Sequence, residues 1–487
     1  MNSRIEKLRD QSLKAVNRIS AERALLVTEF YRSPQSREGS VPIQRALSFQ
    51  HLLDHKTLCI NEGELIVGER GPEPKATPTY PEINLHTTKD LDILNSRDKV
   101  SFKVDPQTRQ AYEETIIPFW RGKTQRERIF NNLPREWVDA YEAGVFTEFQ
   151  EQRAPGHTVA GKQVFQKGML DFINDIQMAL GGLDYLNDPS AQDKRDELEA
   201  MEISARAMIR YAERHSEQLQ EMAKQTRDQK RQAELQEMAA ICGRVPAHAP
   251  QTFHEALQHY WFIHLGVITE LNPWDSFNPG RLDQHLYPFY KRETEAGTLT
   301  REKAKELLEA FWIKFNNHPS PPKVGVTAQE SNTYTDFALI NLGGLDERGH
   351  DATNQMTWLI LDVIEEMRIL QPSSMVQVSK KSPDRLLKRT AQITQSGFGQ
   401  PSYFNTDAII QELLHQGKEI EDARNGGASG CVETGAFGKE SYILTGYFNL
   451  NKVLEVTLYN GTDPRTGKQI GIKAGGGSSF NGFGRLC

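Results

Sequence analysis

The chain has 487 residues, 38% of them hydrophobic and 25% charged, and a formal net charge of −7 at pH 7. That length permits one large barrel or several ordinary domains, and the acidic balance excludes a broad basic face for phosphates, so nucleic acid is not an expected partner. No run of about 18 apolar residues occurs, and the opening "MNSRIEKLRDQSLK" is charged where a signal peptide needs an apolar stretch. No membrane partner is expected, and the chain reads as cytoplasmic.

The first 60 residues carry two helical patterns, one with Ser20 as N-cap of "AERALLVTEFYRS", the other an apolar stripe of Ile43, Ala46, Leu47 and Phe49 to Leu53. The stretch 68–83, "GERGPEPKATPTYPEI", holds four prolines and two glycines and predicts an irregular connection that can still line a site. In "FTEFQEQRAPGHTVAGK" (146–162), His157 follows Pro155 and Gly156 on a turn, open between an acid, base or orienter and an ordinary histidine. From Pro189 to about Arg244, apolar residues at helical spacing among mixed charges predict two long helices, a solvated hairpin rather than a membrane binder.

After residue 250 the pattern alternates. "TFHEALQHYWFIHLGVI" and "REKAKELLEAFWIKFNN" predict helices, "FALINLGG" and "SMVQVSKK" strands, and 353–369, 383–396 and 406–416 further helices, the last stopped by Gly417. His254 and His259 stand five apart, about 500° around a helix, and read as structural histidines rather than paired ligands. In "NPWDSFNPGRLDQHL" (272–286), Asp275 lies between two prolines, open between a turn cap and a functional acid, and Arg281 and Asp283 begin the next helix. Strands alternating with amphipathic helices give an α/β layer or barrel. The last residues, "AGGGSSFNGFGRLC" (474–487), have no packing pattern and read as a linker or a break in the reading frame.

Cys59, Cys242, Cys431 and Cys487 stand far apart without CxxC spacing, which argues against a zinc knuckle, an iron–sulfur site or a disulfide scaffold, so no bound metal or cofactor is expected. Cys431 lies in "GGASGCVETGAF" (426–437), among small residues that leave little to bury it locally and let the backbone approach a ligand closely. Inert core, nucleophile, metal ligand and one-electron centre are all open to a lone cysteine. Glu433, two residues on, is either a surface acid or a proton carrier on the same side as the thiol. A carboxylate there opposes a thiolate, which disfavours a hydrolase dyad of Cys431 with His157 and suits hydrogen-atom chemistry with separate proton transfer.

"GELIVGERGPEPKATPTYPEI", "FTEFQEQRAPGHTV", "DSFNPGRLDQHL", "KFNNHPSPPKVGVT", "SNTYTDFALINLGG" and "SGCVETGAFGKESYILTGYFNLNKVLE" together resemble glycyl radical enzymes of the pyruvate formate-lyase type. Cys431-Val432 followed by Glu433, in place of two adjacent cysteines, is the pattern of the dehydratase branch. The resemblance implies a ten-stranded α/β barrel, with a helical N-terminal region and the cysteine loop inside it as a sheltered thiol. It implies dehydration of trans-4-hydroxy-L-proline to 1-pyrroline-5-carboxylate by a thiyl radical on Cys431, with Glu433 donating a proton to the departing hydroxyl. By the same resemblance His157 and Asp275 handle the ring nitrogen's proton, Ser331, Asp336 and Tyr447 are polar pocket contacts, and Phe149 and Phe337 pack on the ring.

The implied partners are a separate S-adenosylmethionine and 4Fe-4S activating enzyme, which installs a protein-based glycyl radical, and a second copy in a homodimer. Family members carry the radical glycine in an "RVAGYS"-like motif near their C-terminus, and none occurs in these residues. The expected organisation is therefore one incomplete barrel domain, 1–472, a glycine-rich tail, 473–487, and no glycyl radical domain, with no turnover by these residues alone. Rival expectations are another lyase of the family acting on a diol, glycerol or a carbon–sulfur bond, a formate acetyltransferase-like activity, or a non-catalytic remnant.

Overall fold

In the computed structural model, which describes residues 1–147, 157–271, 277–330, 337–442 and 446–473, the chain opens with helices. Asn2 caps the first, Ser3–Lys14, its side chain accepting the Ile5 amide at 3.0 Å, as short polar residues do at a helix start. The second is Glu22–Arg32, and Ser20 is not its N-cap. Ser20 instead ends strand β1 (Arg18–Ser20), which pairs in parallel with β2 (Ala76–Pro78). β2 lies within the proline-rich stretch and corrects the reading of 68–83 as wholly irregular: β1 supplies a partner backbone, and Lys75 at φ +61 turns the chain into register with it.

Two compact units are formed, Met1–Thr79 with Gly156–Pro321 and Tyr334–Tyr442, and Tyr80–Pro155 with Pro322–Thr333 and Ile443–Cys487. In the second, β3 (Phe146–Thr147) pairs antiparallel with Tyr447–Phe448. In the first, the charged stretch forms the expected helices Ala191–Gln225 and Gln229–Arg244, with Asp228 capping the second through Lys230 and Arg231. Their apolar stripes, Met208, Ala212 and Leu219 with Leu235, Met238 and Cys242, join the main core. The helix Phe253–Glu270 is buried along most of its length, and its His254 and His259 bond two separate backbone carbonyls, those of Leu65 and Val164.

The strand ladder of this unit positions the site. β4 (His157–Thr158) continues into a parallel bridge from Val159 to Asn278, and Gly280 bridges in parallel to Ile340. There β5 (Leu339–Gly343) begins a parallel sheet with β6 (Ser373–Val378) and β7 (Ser402–Asn405). The helices Gln355–Met367 and Asp384–Gln395 make the connections, and Thr406–His415 follows β7 and stops before Gly417 at φ +84. The architecture is mixed α/β, and the strands among the described residues do not close a barrel. Because strand side chains alternate between faces, Ile340, Leu342 and Val376 enter the helical core, whereas Leu339 and Met375 face the other way and pack on Ala428. Among the described residues no helix is long and apolar enough to cross a membrane.

The core contains neutral histidines. Burial holds His215 at about 3 and His259, His285 and His318 at about 4, well below the usual imidazole range. His318 is held so although its Nε2 lies 2.7 Å from a Glu69 oxygen. The unfolded chain therefore takes up these protons first, so their contribution is complete above pH about 6.5 and is lost as pH falls toward their folded values, about 1.4 kcal/mol per pH unit for each. Burial raises Glu309 to about 7, which opposes one of them in that window. The expected result is a urea midpoint that falls steadily from pH 6.5 to 4.5. A flat midpoint over that range contradicts the neutral core.

Candidate active site

β8 (Gly427–Ser429) and β9 (Glu433–Gly435) form a hairpin with Ser429 opposite Glu433, so Gly430, Cys431 and Val432 make the turn. Gly430 has φ +55, a left-handed conformation that glycine adopts without steric cost. Glu433 folds its carboxylate back over this turn, Oε2 accepting the amides of Cys431 at 2.8 Å and Val432 at 3.0 Å. Thus the carboxylate two residues after the thiol binds the backbone that carries the thiol. Burial ends at Gly430, and Cys431 and Val432 are exposed. That corrects the expectation of a sheltered thiol: the hairpin is held by its strands, and the three-residue tip projects beyond them. Cys59 and Cys242 are buried, their thiols pushed up by burial, Cys59 to about 12.

Side-chain amides hold the strands. Asn341, in the middle of β5, accepts the Ala428 amide at 3.1 Å and donates to the Ala428 carbonyl at 2.8 Å. Gln377 of β6 donates to Asn341 Oδ1 at 3.2 Å and to the Gly426 carbonyl at 2.9 Å. Asn278 Oδ1 takes the Leu339 amide at 2.7 Å and the Gly430 amide at 3.3 Å, which ties the tip to the next segment of the ladder. A Cβ at position 427 would collide with Asn341 Oδ1 and Gln377 Nε2. The glycines admit the amides of the sheet to the backbone, a use that the sequence reading assigned to a ligand.

The base of the loop is fixed by a buried guanidinium. Arg281 donates to the carbonyls of Leu345 at 2.6 Å, Gly343 at 2.6 Å and Arg424 at 2.7 Å, joining the end of β5 to the residue two before Gly426. Asp283 accepts the Gly343 amide at 2.9 Å and the Thr357 hydroxyl at 2.6 Å, and burial raises its carboxyl above the usual range. Asn278, Arg281, Asn341 and Gln377 are absent from the residues expected for the site. For Asn341 and Gln377 the signal is a polar residue inside an apolar strand, as in "ALINL" and "MVQVS"; Asn278 and Arg281, in "SFNPGRL", have none.

Of the expected residues, the structure brings Cys431 and Glu433 together. His157 lies on β4, where its backbone pairs with Tyr442 of β10 (Ser441–Tyr442), so the chain leaving the hairpin returns to that strand. The His157 side chain, and Asp275, Phe149, Ser331 and Asp336 entirely, lie outside the described residues, as do 474–487 of the tail. Phe337 is half-buried, two residues before β5, at φ +56, a backbone strained by roughly 1 kcal/mol or more for a side chain of this size. Tyr447, on β11 (Tyr447–Phe448) of the second unit, lines an apolar cavity of about 430 Å³ with Trp137, Phe146 and Phe448.

A model of the family described as "Pyruvate formate lyase-like" matches residues 1–487. Trans-4-hydroxy-L-proline dehydratase of Clostridioides difficile is 53% identical over 485 residues, which cover 99% of this chain and 61% of that protein. The crystal structure of the C. difficile hydroxyproline dehydratase with trans-4-hydroxy-L-proline bound superposes with a TM-score of 0.93, covering 98% of this chain and 60% of that one. The glycerol-bound B12-independent glycerol dehydratase of Clostridium butyricum, 32% identical, gives 0.89 over 97% and 59%. The chain thus spans about three fifths of the length of these relatives.

Replacing Glu433 by alanine removes the carboxylate acceptor from the Cys431 and Val432 amides. Hydrogen exchange at those two amides is expected to quicken about tenfold, and the free energy of unfolding in urea to change by less than about 1 kcal/mol, because the tip is exposed. Unchanged exchange would show that the carboxylate does not hold the turn.

Proposed function

Because the chain belongs to the pyruvate formate lyase-like family, we propose that it carries the thiol half of a glycyl radical dehydratase whose substrate is trans-4-hydroxy-L-proline. The observation that carries this reading is the Cys431–Glu433 hairpin, a thiol on a gripped backbone with a carboxylate two residues away. The identity of 53% to a hydroxyproline dehydratase supports the substrate. The residues present fit one-electron use of the thiol, since the nearest charged group on its own turn is an acid that opposes a thiolate nucleophile.

A glycyl radical supplies the one-electron character when present, on a motif that does not occur within residues 1–487. Cys431 then carries the hydrogen atom, taking one from the substrate's ring carbon beside nitrogen and returning it after water has left. Glu433 gives the proton to the hydroxyl that departs from the neighbouring carbon. Loss of that water from trans-4-hydroxy-L-proline leaves 1-pyrroline-5-carboxylate, so atoms balance. Holding both groups two residues apart suits a reaction on adjacent carbons of one small ring, where positioning of this kind can supply about 7 kcal/mol or more of the barrier.

The remaining roles belong to the same proposal: His157 and Asp275 at the ring nitrogen, Ser331, Asp336 and Tyr447 as polar contacts, and Phe149 and Phe337 as ring walls. So do a single domain over 1–472, completion of the five-segment ladder to a ten-stranded barrel, a homodimer, a cytoplasmic setting, and a separate activating enzyme with S-adenosylmethionine and a 4Fe-4S cluster.

The test is anaerobic turnover with an activating enzyme, first with residues 1–487 alone and then with a radical-glycine part supplied. Alone, these residues are expected to give no glycyl doublet by electron paramagnetic resonance. Completed, the protein should form 1-pyrroline-5-carboxylate, and Cys431→Ser should lower the rate at least about 1,000-fold, as loss of a residue essential to the chemistry does. Turnover of glycerol, propanediol or isethionate in place of hydroxyproline would overturn the substrate, and an active Cys431→Ser would overturn the mechanism.

A further inference from the structure

We propose that Asn341 is a positioning residue for Cys431: its side-chain amide acts as a one-residue strand that sets how far the cysteine hairpin reaches from the sheet. The proposal rests on the reading of Cys431 as the reacting thiol. Asn341 is 0% exposed, between Ile340 and Leu342, which face the helical core. An unionised carboxamide offers an acceptor and a donor in one plane, and Asn341 applies them to the amide and the carbonyl of Ala428, the pairing that a neighbouring peptide would make. Gln377 closes the grip by bridging Asn341 Oδ1 and the Gly426 carbonyl, and its own Oε1 accepts the Thr406 hydroxyl at 3.4 Å.

This grip fixes register. Ala428 precedes Cys431 by three residues, and a slip of one residue would turn every side chain of the hairpin to the opposite face. The slip would also leave the Asn341 N–H without its acceptor beside Leu339 and Met375, the apolar residues on the same face, at about 1–3 kcal/mol, with Oδ1 left to Gln377 alone. Aspartate at 341 would offer the Ala428 carbonyl an acceptor instead of a donor. Leucine would offer it nothing in nearly the same volume.

The test uses the 487-residue chain with Cys487→Ser, so that a nitroxide attached to the exposed Cys431 reports on the tip while Cys59 and Cys242 stay buried. In N341D and N341L the nitroxide spectrum should sharpen to that of a mobile label. Hydrogen exchange at Ala428 should quicken on the order of a hundredfold, with Ile340 and Val376 changing less than about threefold. Gly427→Ala reaches the same grip from the hairpin side with Asn341 intact, and it should give the same signature. Parental spectra and exchange in these variants would overturn the proposal. If the Asn341 variants do not fold, G427A decides. Loss of protection at Ile340 and Val376 in both kinds of variant would make the pair a core element and also overturn it. In the completed, activated and unlabelled protein, unchanged turnover by variants whose labelled 487-residue chains show a mobile tip would keep the positioning role and overturn the reading of Cys431 as the reacting thiol.

Discussion

Backbone brought within hydrogen-bond reach of the ladder's amides and carbonyls is the constraint on which the cysteine loop depends. It is met at both ends by the absence of side chains. At the entry, a Cβ on Gly426 would lie 2.5 Å from the Gly435 carbonyl oxygen, and one on Gly427 would collide with Asn341 and Gln377. At the exit, a Cβ on Gly161 would lie 2.9 Å from the Gly438 Cα, and this closeness lets the Gly438 amide reach the Val159 carbonyl at 3.1 Å. The hairpin is therefore strung across one face of the ladder, from β5 and β6 at its entry to the β4 side at its exit. Cys431 is carried on a backbone whose position follows from contacts several residues away on either side.

Such a device requires polar groups inside a protein, where an unpaired one costs several kcal/mol. The structure meets that requirement by pairing. Asn278, Asn341 and Gln377 bond to backbone or to one another, and Arg281 donates to three carbonyls although burial lowers its affinity for a proton. Deeper in the same unit, Lys314 lies between Glu64 at 2.8 Å and Glu69 at 2.6 Å, with Asn317 and His318 also on Glu69. Removing one partner from such a set leaves a buried charge uncompensated, so networks of this kind fix one arrangement more than they add stability. Rigid placement of the ladder and of the loop upon it have the same physical origin.

Much of this was legible in the sequence. Periodicity located the long helices after Pro189, both strands of the β5–β6 pair and the helices that follow, because each buries one face against a single core and so repeats at its own period. The small residues and the carboxylate around Cys431 singled out the loop. Strand β7 escaped, and two other misses have clear physical causes. Ser20 and the stretch 68–83 form a three-residue strand pair, which tertiary contact makes and no local propensity announces. Asn278, Asn341 and Gln377 read as isolated polar residues, since their partner is the backbone of a distant loop and backbone partners leave no mark in a side-chain pattern.

Glu433 draws these strands together. Its Oε2 accepts the amides of Cys431 and Val432, so the carboxylate proposed to deliver a proton also fixes the conformation of the residue proposed to carry the hydrogen atom. A charged acceptor binds amides more strongly than a neutral one. Protonation of Glu433 would therefore loosen the turn, and proton release would tighten it. In the proposed reaction, Glu433 is protonated before the hydroxyl leaves and charged afterwards, so the turn would be held most firmly when Cys431 must return its hydrogen atom. Asn341 and Gln377, which hold the strands below, carry no ionisable group, so their grip does not depend on that proton. In that proposed reaction one turn would couple the proton's position to the thiol's placement, and the amide grip would keep that coupling local to three residues.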